Sequence, residues 1–237
     1  MSRQVRSEAT RRKIFDAAIE VFGEVGYAAA GWSAIIERTG MTKGALYHHF
    51  DSKESLASNI IEEGSDTLLG AYRNVCKASS PGLENVVHGS FTLIDVLGSD
   101  KMARAAAQLA TALSGFNEAA SRFYANLVLE TAQEARRAVK EGDLRSDIDA
   151  DVLSASIVGT ISGTRLIATA ISSHGRIGDV IGDPFARLHQ IWELLLPGIA
   201  SEASLPYFQQ FLRREVMRHT AAANVHRDDA GGASETD

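Results

Sequence analysis

The chain has 237 residues, 45% of them hydrophobic, one cysteine and a formal net charge of −6. That length accommodates one large domain or a small one joined to a larger one, and the lone Cys76 excludes an intrachain disulfide and a cysteine-rich metal site. No uninterrupted apolar run reaches the roughly 18 residues of a membrane span. The start is basic, with Arg3, Arg6, Arg11, Arg12 and Lys13 against Glu8 alone, and lacks the apolar core of a secretion signal. A cytoplasmic protein with a packed thiol and no membrane partner is expected. Charge is uneven along the chain: residues 1–55 hold eight Lys/Arg and seven Asp/Glu, a formal +1, leaving −7 for the remainder. A weakly basic head on an acidic body suits a protein that touches DNA at one end only.

The first predicted helix covers Glu8 to Gly23, with Ile14, Ala17, Ala18, Val21 and Phe22 at helical spacing. Gly26 and Tyr27 end the connection. A second helix runs from about Trp32 to Thr39, with Ile35 and Ile36 inward. Gly40 stands at its stop, where a residue without Cβ reaches positive φ cheaply. Thr42 is the expected N-cap of a third helix ending near Phe50. Its buried side would carry Ala45, Leu46 and, one turn on, His49 or Phe50. Its outer side would carry Lys43, Gly44, Tyr47 and His48, side chains suited to phosphate contact and groove readout. A helix–glycine–helix pair is also common in helical proteins that bind nothing, and Tyr47 can pack inside.

Asp51-Ser-Lys-Glu54 reads as a carboxylate version of the capping box, starting a long helix to about Ala78. Ser79-Ser-Pro-Gly82 breaks the pattern. Further helices are predicted over 83–97, 100–114, 118–141, 149–173, 184–196 and 204–219, with a polar connector from Ser172 to Asp183. No sustained strand alternation is present, so the fold class is all-α. The organisation is a three-helix helix-turn-helix DNA-binding head at 1–52, a larger helical domain at 53–218 and a disordered tail at 219–237.

The AAIEVFGEVGY segment and the IIERTGMTKGALYHHFDSKESL run together resemble the TetR family of one-component transcriptional regulators. TKGALYHHFDSKESLA, AVKEGDLRSDIDADVL and VGTISGTRLI resemble, more narrowly, its γ-butyrolactone receptor branch. The resemblance extends over about residues 5–200. It implies a homodimer whose two heads enter successive major grooves of a palindromic operator, and a TetR-type ligand-binding and dimerisation domain from which an inducer releases DNA. Carried onto this chain, the groove-facing set is Thr42, Lys43, Gly44, Ala45 and Tyr47, with His48 or His49. Ser33 and Lys53 match positions that hold phosphates. Many relatives have Thr where this chain has Gly31; Trp32 then compensates by packing or by touching the sugar-phosphate edge.

On the ligand side, Thr160, Ser162, Gly163 and Thr164 put small and hydroxylated residues on an otherwise apolar helix. They make room for a ligand or allow close helix packing. In the butyrolactone branch the threonine matching Thr164 lines the pocket, and the long helix matching 118–141 presents a tryptophan. This chain has no Trp there; Phe123, Tyr124 and Leu127 occupy the neighbourhood, with Phe91, Gln108 and Phe116 as further lining candidates. Another polar pocket position corresponds to Glu62, Glu63 or Gly64. Arg165 reads more as a structural pair than as a carboxylate clamp. Trp192, with Ile191 and Leu194 to Leu196, reads as dimer interface, and 149–173 with 184–198 as the helices of a four-helix dimer bundle.

No catalytic constellation appears: no HExxH, nucleophile elbow or phosphate loop, and no metal or other cofactor is implied. The reading is a repressor released by a lactone, furan or related hydrophobic signal. The alternatives are a pseudo-receptor answering an antibiotic or intermediate, and an efflux-pump repressor; a helical enzyme ranks last.

Overall fold

Glycine placement sets where this chain's helices bend, stop and press together. A computed structural model describes residues 3–77, 79–171, 183–215 and 217–218. The described residues include the helices α1 (Arg3–Ala29), α2 (Trp32–Thr39), α3 (Lys43–His49), α4 (Lys53–Val75), α5 (Gly82–Ser99), α6 (Lys101–Ala112), α7 (Glu118–Glu141), α8 (Ala150–Ile171) and α9 (Pro184–Ile199). Residues 205–215 form a further helix, α10. Among the described residues the only extended pairing is an isolated antiparallel bridge, Leu144 to Ala200. The all-α expectation therefore holds. The expected tail at 219–237 and most of the 172–183 connector lie outside the described residues.

Several element boundaries differ from expectation, and for two of them the physical reason is plain. α1 does not stop at Gly23: it runs to Ala29 across one non-helical residue, Gly26, at φ 77 and ψ 160. Only glycine adopts that backbone without strain. A last turn then closes through the Ala30 amide on the Gly26 carbonyl at 3.1 Å. α4 is capped by Ser52 rather than by Asp51. The Ser52 hydroxyl accepts from the Ser55 amide at 3.0 Å, and its carbonyl from Leu56 at 3.0 Å. The cap lies one residue later than the carboxylate pattern suggests.

The chain divides into two compact units. The first comprises Met1–Ala71 and Val96–Asn126. Within it α1 packs on α2 and on α6. Ile14, Phe15, Ala18, Ile35, Leu46, Phe50, Leu56 and Ile60 are buried. Phe15 and Phe50 meet at 5.6 Å between ring centroids, with the Arg11 guanidinium over both. α6 begins at Asp100, whose carboxylate accepts from the Ala103 amide at 2.7 Å, and buries Ala103, Ala106 and Ala110. Gly64 of α4 lies so close to α6 that a Cβ there would stand 2.4 Å from the Ala106 Cβ and 2.7 Å from the Met102 carbonyl.

The second unit comprises Tyr72–Asp95 and Leu127–Asp237. Gly89 leaves the room that the Tyr72 ring fills: a Cβ there would lie 2.3 Å from that ring. Trp192 is 1% exposed and its indole N–H donates to the Ser90 hydroxyl at 2.9 Å. That corrects its expected place at a dimer seam, because its face of α9 is needed for the chain's own core. α10 buries Phe208, Phe211, Leu212 and Glu215 on one face. The buried Glu215 carboxylate meets His88 Nδ1 and the Arg218 guanidinium, each at 2.6 Å.

α8 packs against α9 but leaves an apolar stripe uncovered. Val152 (63%), Leu166 (59%) and Ile167 (49%) are exposed, and so is Leu194 of α9 (81%). Cβ atoms built on Gly159 and Gly163 would meet nothing within 4 Å. By length and composition α8 is apolar enough to cross a membrane, which the sequence reading passes over because Ser, Thr, Gly and Arg165 interrupt its apolar run.

Gly64→Ala forces α4 and α6 apart and is expected to cost about 1–3 kcal/mol. Gly70→Ala, with open space around its Cβ, is expected to stabilise α4 by roughly 0.5–1 kcal/mol. Denaturant unfolding of the two variants checks the contrast; equal stabilities would contradict the close α4–α6 contact.

Candidate functional site

The turn between α2 and α3 is built from four consecutive residues. The Thr39 hydroxyl donates to the Ile36 carbonyl at 2.8 Å and accepts from the Met41 amide at 3.2 Å. Gly40 takes the left-handed conformation, φ 64 and ψ 21, so its amide reaches the Ile36 and Glu37 carbonyls. Thr42 is extended and caps α3, accepting from the Ala45 amide at 3.3 Å. The Ile36 and Glu37 carbonyls and the Met41 and Ala45 amides, which the helix ends would leave orphaned, are thus answered locally.

Two anchors aim α3. Leu46 is wholly buried and Phe50 is 3% exposed. The opposite face presents Thr42, Lys43, Gly44, Tyr47 and His48, all exposed, with Ala45 and His49 partly buried. The two histidines, left open by spacing, therefore differ: His48 faces out, and His49 lies half inside with its ring 5.6 Å from that of His48. Tyr47 has the Trp32 ring 5.6 Å away, tilted by 55°, and the Lys43 ammonium 5.6 Å from its centroid. Lys43 makes no ion pair among the described residues.

Ser33 is exposed in the first turn of α2, whose N-cap, Gly31, supplies no side-chain hydrogen bond. Lys53 is turned inward. Its ammonium donates to the carbonyls of Tyr27 and Ala30, each at 2.8 Å, and of Ala28 at 3.4 Å. It also lies 4.5 Å from the Tyr27 ring centroid. The signal for this duty was present in the sequence as Gly26, whose kink strands those carbonyls, but the partner on α4 is 26 residues away.

Three arginines of this unit are engaged as well. Arg11 donates to Asn59 at 3.1 Å, and Arg12 pairs with Glu63 at 2.7 Å. Arg38, at the end of α2, forks onto Glu24 at 2.9 and 2.8 Å and reaches Glu20 at 3.1 Å. Glu20 also faces Lys101 of α6 at 3.5 Å. Hydrogen bonding from Arg38 holds the Glu24 and Glu20 carboxyls below the usual carboxylate range, with Lys101 adding to the effect on Glu20. The Arg38 clamp was missed from sequence, because nothing in the spacing distinguishes it from a solvated helix end.

The ligand candidates fall in both units. In the first, Gln108 is exposed and lines a cleft of about 210 Å3 with Ile19, Phe22 and Leu109. Phe116 is 68% exposed beside Gly115, and Phe123 is buried. Tyr124 lies edge-on to Phe123 at 5.2 Å and shares a 2.9 Å hydrogen bond with Thr111. In the second, Phe91 is buried and stacks on Phe185 at 6.3 Å. Leu127 and Thr164 are buried and Thr160 is half-buried. Of the polar alternatives on α4, Glu62 pairs with Arg122 at 2.6 Å, Glu63 with Arg12, and Gly64 is pressed on α6. Among the described residues no group of three or more His, Cys, Asp or Glu could share a metal ion. Burial pushes the Cys76 thiol up to about 12, against thiolate chemistry at that position.

Residues 14–60 match the family described as bacterial regulatory proteins, tetR family, and residues 80–201 match the tetracyclin repressor-like C-terminal domain. The chain is 31% identical over 200 residues to the A-factor receptor protein of Streptomyces griseus, covering 84% of this chain and 67% of that protein. Its fold is similar to that of CprB from S. coelicolor A3(2), with a TM-score of 0.72 and 26% identity over 87% of this chain and 97% of the other. It is also similar to a gamma-butyrolactone receptor, an ArpA-like protein, with a TM-score of 0.70 and 25% identity over 90% and 99% of the two chains.

Lys53→Met leaves the 27–30 carbonyls without their donor and is expected to cost about 1–3 kcal/mol in denaturant unfolding; a wild-type midpoint would contradict the lock. The Arg38 clamp has a pH signature. Its carboxyls titrate lower folded than unfolded, so its contribution is present above the ordinary carboxylate pKa. It is lost as pH falls through the lowered folded values. The stability difference between wild type and Arg38→Gln should therefore be present at neutral pH and close in acid, and be reduced by salt. A pH-independent difference would contradict it.

Proposed function

The chain belongs to the TetR family of bacterial regulatory proteins, and from that premise we propose that it is a ligand-released transcriptional repressor binding a palindromic DNA operator as a homodimer. The observation that carries the proposal is the presentation of α3. Its buried anchors, Leu46 and Phe50, leave Lys43, Gly44, Tyr47 and His48 exposed on one face.

In this reading Lys43 donates to guanine O6/N7 or to phosphate, and Gly44 lets the backbone approach the groove floor. The hydroxyls of Thr42, Ser33 and Tyr47 are within the chemistry of phosphate contact. Ala45 offers its methyl group, and His48 reaches the duplex more readily than the half-buried His49. Lys53 acts behind this face, holding the α1–α2 connection.

The uncovered stripe of α8 and α9 supports the dimer. Val152, Leu166, Ile167 and Leu194 are too large an apolar set to leave in water when a symmetric partner can cover them. The open Cβ positions at Gly159 and Gly163 allow a second helix to come close. A second copy, rather than lipid, covers α8 in this proposal.

The proposed inducer is a γ-butyrolactone, furan or related hydrophobic signal, supported by similarity to proteins described as the A-factor receptor and a gamma-butyrolactone receptor. Thr164, buried on α8, offers a hydroxyl for a lactone or furan carbonyl, with Thr160, Phe91 and Leu127 as further candidates in the same unit. The lack of a tryptophan on α7 favours a second reading: a pseudo-receptor answering an antibiotic or biosynthetic intermediate. Release would act through α4, which is continuous from Lys53 to Val75.

Anisotropy titration of the DNA upstream of its own gene, with and without butyrolactone and furan extracts, tests the function. Tight binding relieved by an extract is expected; relief by no extract favours the pseudo-receptor, and failure to bind any palindromic duplex defeats the DNA reading. Lys43→Ala and Tyr47→Phe are each expected to weaken binding by roughly tenfold at fixed salt with the dimer intact. Unchanged affinity in both would remove the proposed recognition face.

A further inference from the structure

Trp32 lies next to the recognition face, and the family resemblance leaves open whether it packs or touches the sugar-phosphate edge. It opens α2, is half-buried, and lies 5.6 Å from the ring of the exposed Tyr47. Its indole N–H has no partner among the described residues. The other tryptophan, Trp192, is buried and its N–H is bonded to Ser90. The backbone leading into Trp32 is held as well, because the Ala30 carbonyl two residues earlier accepts from Lys53 at 2.8 Å.

An indole N–H donates and cannot accept. It therefore complements a phosphate oxygen, an acceptor, and is of no use toward a base-edge donor. Gly31 supplies no side-chain oxygen at this corner, and the indole of α2 lies beside Tyr47. We infer that Trp32 is a DNA-backbone contact: its N–H donates to a phosphate oxygen while its ring holds Tyr47 in place on α3. The inference rests on the DNA-binding reading of α3. It adds a neutral contact, which displaces no counterion and leaves the salt dependence of binding unchanged.

The test uses the full-length protein and the duplex that wild type enriches from a random-sequence pool. Trp32→Phe keeps a ring against Tyr47 and removes the donor. It is expected to weaken binding about tenfold with an unchanged salt slope and unchanged thermal unfolding. Trp32→Ala is expected to weaken it further, because Tyr47 loses its support. Lys43→Ala, in contrast, should lower the slope by about one. Wild-type affinity in Trp32→Phe overturns the inference, and so does a loss that flattens the salt slope. Acrylamide quenching of wild type is a second measurement that needs no variant. Trp192 is buried, so quenchable emission comes from Trp32 and should be shielded when the duplex saturates the protein; unaltered quenching overturns the inference. If wild type enriches no duplex, the DNA-binding reading itself fails and this contact with it. If wild type binds and Trp32→Phe matches it, only this contact fails.

Discussion

The head of this protein depends on where one ammonium group lies. Gly26 turns the backbone out of helical geometry near the end of α1, leaving the Tyr27, Ala28 and Ala30 carbonyls to find donors outside the normal ladder. Lys53, the first residue of α4, reaches back to all three. An unmet carbonyl in a half-buried corner costs more than a typical hydrogen bond returns, so the lysine is needed once the kink exists. The Tyr27 ring completes the enclosure, and burial with the nearby Glu54 charge raises its phenol pKa. Since α2 starts at Trp32, directly after these residues, the lock sets the position from which the helix-turn-helix departs.

Charge in the head is organised by pairing more than by its sum. A formal +1 over residues 1–55 suggests only weak attraction to a polyanion. Arg11, Arg12, Arg38 and Lys53 are directed to partners in their own unit. Lys43 is left standing on the outer face of α3. An ammonium without an ion pair among the described residues therefore stands beside the exposed Tyr47 and His48, although the composition is nearly balanced.

Much of this was legible in the sequence because it is written in short-range signals. The Gly40 turn, the Thr42 cap, the inward Leu46 and the outward Lys43 and Tyr47 all follow from residues within four positions of one another. The helical body followed from apolar spacing, and α7 was placed at its observed bounds. What was not legible depends on contacts between distant elements. Asp51 and Ser52 both suit a cap, and only the path of α4 selects Ser52. Lys53 looks like a surface cation until the α1 kink is placed beside it. Trp192 looks like an interface aromatic until Ser90 is found under its N–H. For the ligand candidates, the family resemblance could name Thr164 and Phe123 but could not show that Phe116 is exposed or that Gln108 lines a cleft against α1.

The central proposal is that two copies of this head read one operator. Symmetry then places the two α3 helices on one side of the duplex, about 34–36 Å apart or a multiple of that repeat. Hydroxyl-radical footprinting of wild-type protein on its enriched duplex measures this directly. The account predicts two equivalent protected patches related by a twofold axis at that separation. One asymmetric patch, or uniform protection without periodicity, would contradict it.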